Sequence, residues 1–253
     1  MKHFGLLLIL CCAGLFSCHK NTNYKHREST LSVEFSDDFE EDVIFINLND
    51  TNDLERKLIA SGLINIKLID STIRVDLRYA DTNNFLNSDL YNGLKRCYLQ
   101  PNVAERLAKS NLYLKSLKPA YSLLVFDGVR PVSIQWKMWN SLKTHSHERS
   151  KFVSNPTKGS LHNFGAAVDV SICDENGVEL DMGTPFDFMG GLAYPSLEDK
   201  FLKTGELSLK QVENRKLLRK VMQHSGFWGI QTEWWHFNAC SRDKAKELYQ
   251  IIE

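Results

Sequence analysis

The strongest constraint on this chain comes from two short segments, far apart in sequence, that carry metal-binding side chains. The first contains His162 and, seven positions later, Asp169. The second contains Glu233 and, three positions later, His236. Two imidazoles and one carboxylate are a usual set of protein ligands for a catalytic zinc ion, whose fourth position stays open for water, whereas a structural site is closed by four protein ligands. The pattern predicts one zinc ion per chain on His162, Asp169 and His236, with Glu233 left for proton transfer.

The spacing of these ligands also predicts turns in the backbone. Residues 166–172 alternate branched apolar side chains with Ala, Asp and Ser, which predicts a strand with one packing face and one face that can chelate. The first imidazole lies an odd number of residues from Asp169, so Gly165 is expected to provide the turn that brings it back to the same side. For the same reason Glu233 is expected in a turn before a strand that begins near Trp234.

The composition fits one globular domain. Of 253 residues, 43% are hydrophobic and 25% are charged, which is ordinary for a folded domain. Basic and acidic residues number 31 each, so the formal net charge is zero. This balance predicts no nucleic-acid partner, so substrate specificity must come from a local pocket. The sequence does not predict the oligomeric state.

The first residues are typical of an export signal. A basic start, Met1–His3, precedes an apolar run, Phe4–Phe16, that is too short to span a bilayer as a stable helix. The run leads into Leu15-Phe16-Ser17-Cys18, which resembles a bacterial lipobox. Residues 1–17 are therefore predicted to be a signal peptide of the lipoprotein type, with lipid on Cys18; the alternative is an ordinary signal peptide followed by a chance cysteine.

This reading predicts an exported, periplasmic protein that reaches the membrane only through the lipid anchor on Cys18. Residues 18–52 are polar and include an acidic run at 36–42, which is typical of a tether that need not fold. Residues 53–253 are predicted to form the catalytic domain.

The remaining cysteines are predicted to be packing residues. After processing, the chain keeps Cys97, Cys173 and Cys240 in addition to Cys18. An odd number without a C-x-x-C pair argues against a disulfide framework and against a thiolate zinc site, although an oxidising compartment would permit one bridge.

The periodicity predicts alternating strands and helices in the catalytic domain. Strands are expected over residues 63–69, 72–78 and 121–126, and helices from Pro101 to before Pro119, after Pro131, over 212–225 with Gly226 as the stop, and over 242–252. The polar stretch 143–159 is expected to be a solvated loop whose His145 and His147 bind no metal. Residues 181–208 are rich in turn signals and are expected to shape the substrate pocket.

Five stretches taken together identify a family. Residues 75–85, 127–131, 160–169, 182–187 and 226–237, in their order and spacing, resemble the D-alanyl-D-alanine dipeptidases, the zinc enzymes of the vancomycin-resistance type and their housekeeping relatives. The resemblance spans about residues 54–240. Together with the element pattern, it implies a single α+β domain with a central antiparallel sheet flanked by helices and a zinc site in a cleft on the sheet.

The resemblance also implies roles for individual residues. His162, Asp169 and His236 match the zinc ligands, Glu233 the general base and acid, and Arg130 the transition-state stabiliser. The residues that match positions holding the dipeptide substrate are Tyr79, Ser160 and Asp187, with Asp187 expected to meet the substrate ammonium group. Trp234 and Trp235 are expected to pack around the neighbouring ligand rather than to stack on substrate.

Three functions compete at this point. The first is a zinc dipeptidase that cleaves free D-Ala-D-Ala. The second keeps the zinc mechanism in a more open pocket, as a D,D-carboxypeptidase of peptidoglycan stem peptides. The third is a non-catalytic wall-binding lipoprotein, against which the presence of both Glu233 and Arg130 argues, because binding alone requires neither.

Overall fold

The computed structural model describes residues 30–33, 44–47 and 50–253 except residue 146, and it separates them into two compact units, one up to Gly62 and one from Leu63 onward. In the first unit, β1 (Thr30–Val33) pairs antiparallel with β2 (Ile44–Asn47), within the stretch predicted to be a tether. Helix α1 (Asp53–Ala60) follows and begins with a capping box formed by Asn52 and Glu55. The predicted signal peptide and Cys18 lie outside the described residues.

The second unit is built on a five-stranded sheet with the order β4-β6-β7-β9-β8. Its strands are β4 (Arg74–Val75), β6 (Ser122–Asp127), β7 (Ala167–Cys173), β8 (Trp228–Gly229) and β9 (His236–Asn238). All neighbours are antiparallel except β4 and β6, which are parallel. A second small sheet pairs β3 (Ile64–Asn65) with β5 (Tyr98–Leu99). The predicted α+β fold is confirmed, with one parallel pair at the edge of a mainly antiparallel sheet.

Helices surround this sheet. They are α2 (Pro101–Leu117), α3 (Val132–Ser141), α4 (Glu198–Thr204), α5 (Leu209–His224) and α6 (Arg242–Leu248). Proline starts α2 as predicted, and Gly226 at φ +80° follows the end of α5 as predicted. Helices α2 and α5 pack together, and the ring of Tyr113 stacks on that of His224 with centroids 3.8 Å apart. Within the described residues, no helix has the length and apolar character needed to cross a membrane.

Two predicted strands are shorter than the periodicity indicates, because polar side chains compete for the backbone. The Asn65 side chain accepts a hydrogen bond from the Lys67 amide, and the chain turns into a 3₁₀ helix at Ile66–Leu68. The Asp70 side chain accepts from the Thr72 amide at 2.9 Å and holds a turn just before β4. Asn and Asp favour such local turns over ladder hydrogen bonds, so the predictions of strands over 63–69 and 72–78 were too long.

The last helix also ends earlier than predicted, at Leu248. Residue Ile252 leaves the helical path because its amide donates to the Asn163 carbonyl and its carbonyl accepts from the Val132 amide, both at 2.8 Å. Ala245 is buried, whereas Leu248 is 47% exposed. The described residues contain no disulfide among Cys97, Cys173 and Cys240.

Candidate metal centre and cleft

Three polar side chains form a row across the middle of the sheet. In the register of the central strands, Asp127 on β6 lies opposite Asp169 on β7, which in turn lies opposite His236 on β9. Side chains of directly opposed residues project from the same face of a sheet and come close together. Asp127 and Asp169 are almost fully buried, and the surrounding residues of β7 are buried on both faces. The sheet therefore presents two carboxylates and one imidazole at one place.

His162 reaches the same place from a short 3₁₀ helix, Leu161–Phe164, that precedes β7. Gly165 ends this helix in the left-handed conformation, with φ +62°, and turns the chain into the strand as predicted. The Ser160 hydroxyl caps the start of the helix by accepting from the His162 amide at 3.3 Å. Asn163 is fully buried, and its amide group donates to the carbonyl of Arg130 at 2.7 Å. This framework holds the imidazole beside the row.

The three predicted zinc ligands form a small triangle of donor atoms. His162 Nε2 lies 3.1 Å from His236 Nδ1 and 3.4 Å from Asp169 Oδ1, and His236 Nδ1 lies 3.0 Å from Asp169 Oδ1. Ligands placed about 2.0–2.1 Å from zinc at the corners of a tetrahedron are separated by roughly 3.3 Å. The triangle therefore has the size that a zinc ion requires.

The outward-facing atoms of the two histidines strengthen this fit. His162 Nδ1 lies 2.7 Å from the carbonyl oxygen of Gly128, which can only accept, so Nδ1 carries the proton. His236 Nε2 lies 2.8 Å from Asn238 Oδ1 and donates in the same way. In the neutral imidazoles, these contacts leave a lone pair on each inward nitrogen, as a metal ligand requires. Such outer partners are typical of histidines that bind a metal.

The electrostatics of the triangle favour a positive charge at its centre. Burial acts to raise the pKa of Asp169, but His162 and His236 together lower it below its usual value. Burial acts to lower the pKa of His236, but the hydrogen bond to Asp169 raises it to about 9. The site therefore attracts positive charge, which a divalent cation would supply.

Arg130 is held beside the triangle by the two aspartates of the row. Its Nε and Nη2 atoms donate to Asp127 Oδ2 at 2.9 and 2.6 Å, and Nη2 lies 3.4 Å from Asp169 Oδ2. Tyr91 donates to the other oxygen of Asp127 at 2.6 Å. Burial opposes the charge of Arg130, but Asp127 and the neighbouring tyrosines raise its pKa well above the usual value, so the guanidinium remains a cation. Within the described part of the chain, its Nη1 atom has no acceptor.

A second buried carboxylate, Asp187, lies on another wall of the cleft. Tyr79 donates to Asp187 Oδ1 at 2.9 Å, and the guanidinium carbon of Arg130 lies 5.0 Å from the centre of the Tyr79 ring. The other oxygen, Asp187 Oδ2, is buried and has no hydrogen-bond partner among the described residues. Burial raises the pKa of Asp187 well above its usual value. The backbone here is also strained, since a non-glycine residue has φ +62°.

Glu233 lies in the turn before β9, as predicted, although the strand begins at His236 rather than near Trp234. Its Oε2 atom lies 4.0 Å from His236 Nδ1, at the edge of the metal triangle, and its side chain is 37% exposed. Its location in the cleft, partly removed from water, raises its pKa above the usual value. A carboxylate beside the metal triangle whose pKa is raised is suited to act as a general base and acid.

All eight residues predicted for the site line one cleft with a volume of about 240 Å³. They are Tyr79, Arg130, Ser160, His162, Asp169, Asp187, Glu233 and His236. Trp235 also lines it, although it is buried and packs edge-on against Phe186 with ring centroids 5.4 Å apart. In the stretch 143–159, which was predicted to be a solvated loop, His145 and His147 are exposed. The same stretch also forms part of the cleft wall, through Phe152, Val153 and Ser154.

Sequence reasoning missed two side chains that hold the site in place. Asp127 was not among the predicted site residues, yet it is fully buried and pairs with Arg130. An aspartate at the end of an otherwise apolar strand is the signal that could have identified it. Asn238 was not predicted at all; its spacing of two residues from His236 on one strand places both side chains on one face.

Comparison with known proteins agrees with the geometry. The model of the D-ala-D-ala dipeptidase family of M15 peptidases matches residues 59–251. The chain is 31% identical to the D-alanyl-D-alanine dipeptidase of Escherichia coli K12 over 178 residues, which cover 69% of this chain and 83% of the relative. It is 29% identical to the D-alanyl-D-alanine dipeptidase of Enterococcus faecium over 185 residues, covering 65% of this chain and 85% of the relative.

A more distant likeness is to the crystal structure of the vancomycin resistance D,D-pentapeptidase VanY in complex with Zn(II). It has 15% identity and a TM-score of 0.35 and covers 63% of this chain and 80% of that chain. The assignment therefore rests on the sequence matches, of which the family model spans most of the chain. On that basis, this chain is a peptidase and belongs to the D-alanyl-D-alanine dipeptidase family.

Proposed function

We propose that this protein hydrolyses free D-Ala-D-Ala to two D-alanines, with one zinc ion held by His162, Asp169 and His236. The observation that carries the proposal is the buried Asp187 carboxylate, which shares a cleft with this metal triangle and leaves Oδ2 without a partner. A buried carboxylate oxygen without a hydrogen-bond partner is costly, so its presence indicates a cationic ligand. The ammonium group of a free dipeptide supplies that charge next to the scissile amide.

Glu233 is proposed to move the protons. A zinc ion bound at the triangle would lower the pKa of a water molecule to about 7 and polarise the substrate carbonyl. Glu233 would take a proton from the attacking water and deliver it to the nitrogen of the departing D-alanine. Its location at the edge of the triangle supports both steps, and burial raises its pKa in the direction of the working pH, where a general acid and base is most effective.

Arg130 is proposed to stabilise the oxyanion that forms when the carbonyl is attacked. Asp127 and Asp169 fix the guanidinium, and its Nη1 atom remains available within the described structure. A donor that is fixed before the reaction needs no reorganisation as charge develops. Removing such a donor typically costs about 3–4 kcal/mol, so Arg130→Ala is expected to lower kcat by roughly 10² to 10³.

The size of the cleft supports a small substrate. Its volume of about 240 Å³ is equal to roughly eight water molecules in the liquid and lies below the range of typical drug-sized pockets. One observation favours the alternative of a D,D-carboxypeptidase: a second cavity of about 350 Å³ also borders Asp187 and Met189. A longer peptide bound in the cleft could extend into that cavity beside Asp187 and Met189.

The proposal is tested with purified protein, with and without a chelator, on D-Ala-D-Ala, L-Ala-L-Ala and a stem pentapeptide. We expect cleavage of D-Ala-D-Ala only, lost on chelation and restored by Zn²⁺. Release of D-alanine from the pentapeptide would support the carboxypeptidase instead. Absence of hydrolysis in every case, with zinc bound, would support a non-catalytic binding protein.

Two variants test the assigned roles separately. Glu233→Ala is expected to retain zinc and lose most turnover, whereas His162→Ala is expected to lose the metal itself. Zinc content is measured by atomic absorption and turnover by the release of D-alanine. Undiminished hydrolysis by Glu233→Ala at equal zinc content would refute the assignment of the general base.

A further inference from the structure

The cleft is lined by more acidic than cationic side chains, whereas a free dipeptide carries one ammonium group and one carboxylate. The acidic residues that line the cleft are Asp169, Asp187 and Glu233. Among the described residues of the lining, the side chains that stay cationic with zinc bound are Arg130 and Arg242. A free dipeptide that gives its ammonium group to Asp187 still needs a partner for its terminal carboxylate.

Arg130 is poorly placed for that task because it is already committed. Its guanidinium is buried and donates two hydrogen bonds to Asp127 and a longer one to Asp169. Two carboxylates therefore share its charge before any substrate is present. A third carboxylate would compete with them, so the charge of the substrate calls for the second cation.

Arg242 meets this requirement. It is the first residue of α6 and is exposed at the cleft, and its Nη1 atom donates to the carbonyl oxygen of Lys158 at 3.2 Å. Within the described structure it has no carboxylate partner, in contrast to Arg130. Its guanidinium has five N–H donors, so one contact to a carbonyl leaves a planar pair of donors for another group.

The contact with Lys158 places Arg242 on the wall that carries Ser160. The segment 158–160 leads directly into the 3₁₀ helix of His162, and the Ser160 hydroxyl, which accepts from the His162 amide, retains its own proton as a donor. Asp187 lies on a different wall, where it is bonded to Tyr79. The cleft therefore has an acidic wall and a basic wall, with the metal triangle also in its lining.

We propose that Arg242 binds the terminal carboxylate of the dipeptide substrate, next to Ser160. This inference rests on the proposed dipeptidase function and adds a determinant of specificity to it. Arg242 selects peptides that end at the second residue with a free carboxylate. Asp187 selects peptides whose first residue has a free ammonium group. The two charges together orient the amide bond across the metal site and limit the substrate to two residues.

The test compares D-Ala-D-Ala with its C-terminal amide, which lacks the carboxylate charge, on the zinc-loaded protein. Arg242→Gln removes the cation but keeps a donor for the Lys158 carbonyl, and Arg242→Lys keeps the charge without the planar fork. Lys246→Gln, an exposed position on the same helix, is the matched control because it removes one charge outside the cleft. KM and kcat are measured for each protein variant with each of the two compounds. Where the amide is not cleaved, its inhibition constant is measured instead.

A charged hydrogen bond at the cleft edge corresponds to a change of about tenfold in affinity. We expect Arg242→Gln to raise KM for D-Ala-D-Ala by about tenfold with little change in kcat, and to leave the constant for the amide unchanged. Arg242→Lys is expected to fall between the wild type and Arg242→Gln, and Lys246→Gln to match the wild type.

Three results would overturn the inference. Equal effects of Arg242→Gln on the acid and the amide would show that the charge does not meet the carboxylate. An unchanged KM for the acid would show that Arg242 does not contact the substrate. Failure of the wild-type protein to cleave D-Ala-D-Ala would remove the proposed function and this inference with it, whereas the first two results leave the dipeptidase function standing.

Discussion

Replacement of Gly165 by alanine is expected to damage both folding and metal binding, because this residue turns the chain from His162 into β7. Its φ of +62° is a left-handed conformation, which costs a residue with a Cβ atom about 1–2 kcal/mol. A Cβ atom would also lie 2.6 Å from Leu63 Cδ2 and 3.3 Å from the Gln100 amide nitrogen. The leucine methyl can move, but the amide belongs to backbone that is bonded to the Gly165 carbonyl at 3.1 Å.

The expected loss of stability combines these two effects. Overpacking of a buried position costs about 1–3 kcal/mol, so the total is roughly 2–5 kcal/mol. For a domain of this size, that corresponds to a fall in Tm of about 4–20 °C. Because the Gly165 amide donates to the His162 carbonyl at 3.1 Å, a shifted turn moves the imidazole, and zinc affinity is expected to fall at least tenfold.

Gly177 supplies a matched control. It has φ +83° in the turn after β7, and a Cβ atom there would meet no described atom within 4 Å. Gly177→Ala therefore isolates the conformational cost, about 1–2 kcal/mol, from the steric one and leaves zinc binding unchanged. Thermal unfolding and competition with a chromogenic chelator measure the two quantities. Equal destabilisation by Gly165→Ala and Gly177→Ala, or a wild-type zinc affinity of Gly165→Ala, would contradict the role assigned to the Gly165 turn.

Three further predictions follow from contacts around the cleft. Asn238→Ala removes the acceptor that orients His236 and is expected to weaken zinc binding by about 10–100-fold, measured by chelator competition; unchanged affinity would contradict this role. Arg215→Met breaks hydrogen bonds to the carbonyls of Met182 and Leu192, which lie on either side of the loop that carries Asp187. It is expected to lower the free energy of unfolding, measured in urea, by about 3–5 kcal/mol and to raise KM. A stable variant with unchanged KM would refute this. Asp187→Asn is expected to stabilise the substrate-free protein by about 1–3 kcal/mol at pH 8. The raised pKa of Asp187 means that the folded state holds its proton more tightly, so wild-type stability falls as pH rises above about 4, and the difference from Asp187→Asn should vanish near pH 4; a difference independent of pH would contradict it.

Much of the fold could be predicted because its signals are local. Pro101 and Gly226 mark helix boundaries through backbone constraints that act within one turn, and the alternation in residues 166–172 identified β7. The prediction of a turn at Gly165 rested on the same local reasoning about side-chain direction. The lengths of strands β3 and β4 were overestimated for an equally local reason. The side chains of Asn65 and Asp70 accept hydrogen bonds from backbone amides two residues on and turn the chain there.

The convergence of the site is a different matter, because it depends on contacts between distant segments. Residue types and spacing identified His162, Asp169 and His236 as a set, but only the pairing of β7 with β9 places Asp169 opposite His236. The roles of Tyr79, Ser160 and Asp187 came from the family resemblance alone. Their location in the same cleft depends on the paths of three loops, which no periodicity describes.

The position of Arg130 depends on one extra residue in β6. Pairing between β6 and β7 proceeds regularly to Val125 opposite Val170, and the next pair is Asp127 opposite Asp169, so two residues of β6 span one residue of β7. Without this bulge, Phe126 would lie opposite Asp169, and Asp127 would project from the other face of the sheet. The bulge thus brings Asp127 into the row of the metal ligands, where it fixes Arg130 beside the triangle. Strand alternation alone predicts the opposite direction for Asp127. Its residue type at the end of an apolar strand could therefore have singled it out, but its pairing with Arg130 could not be predicted.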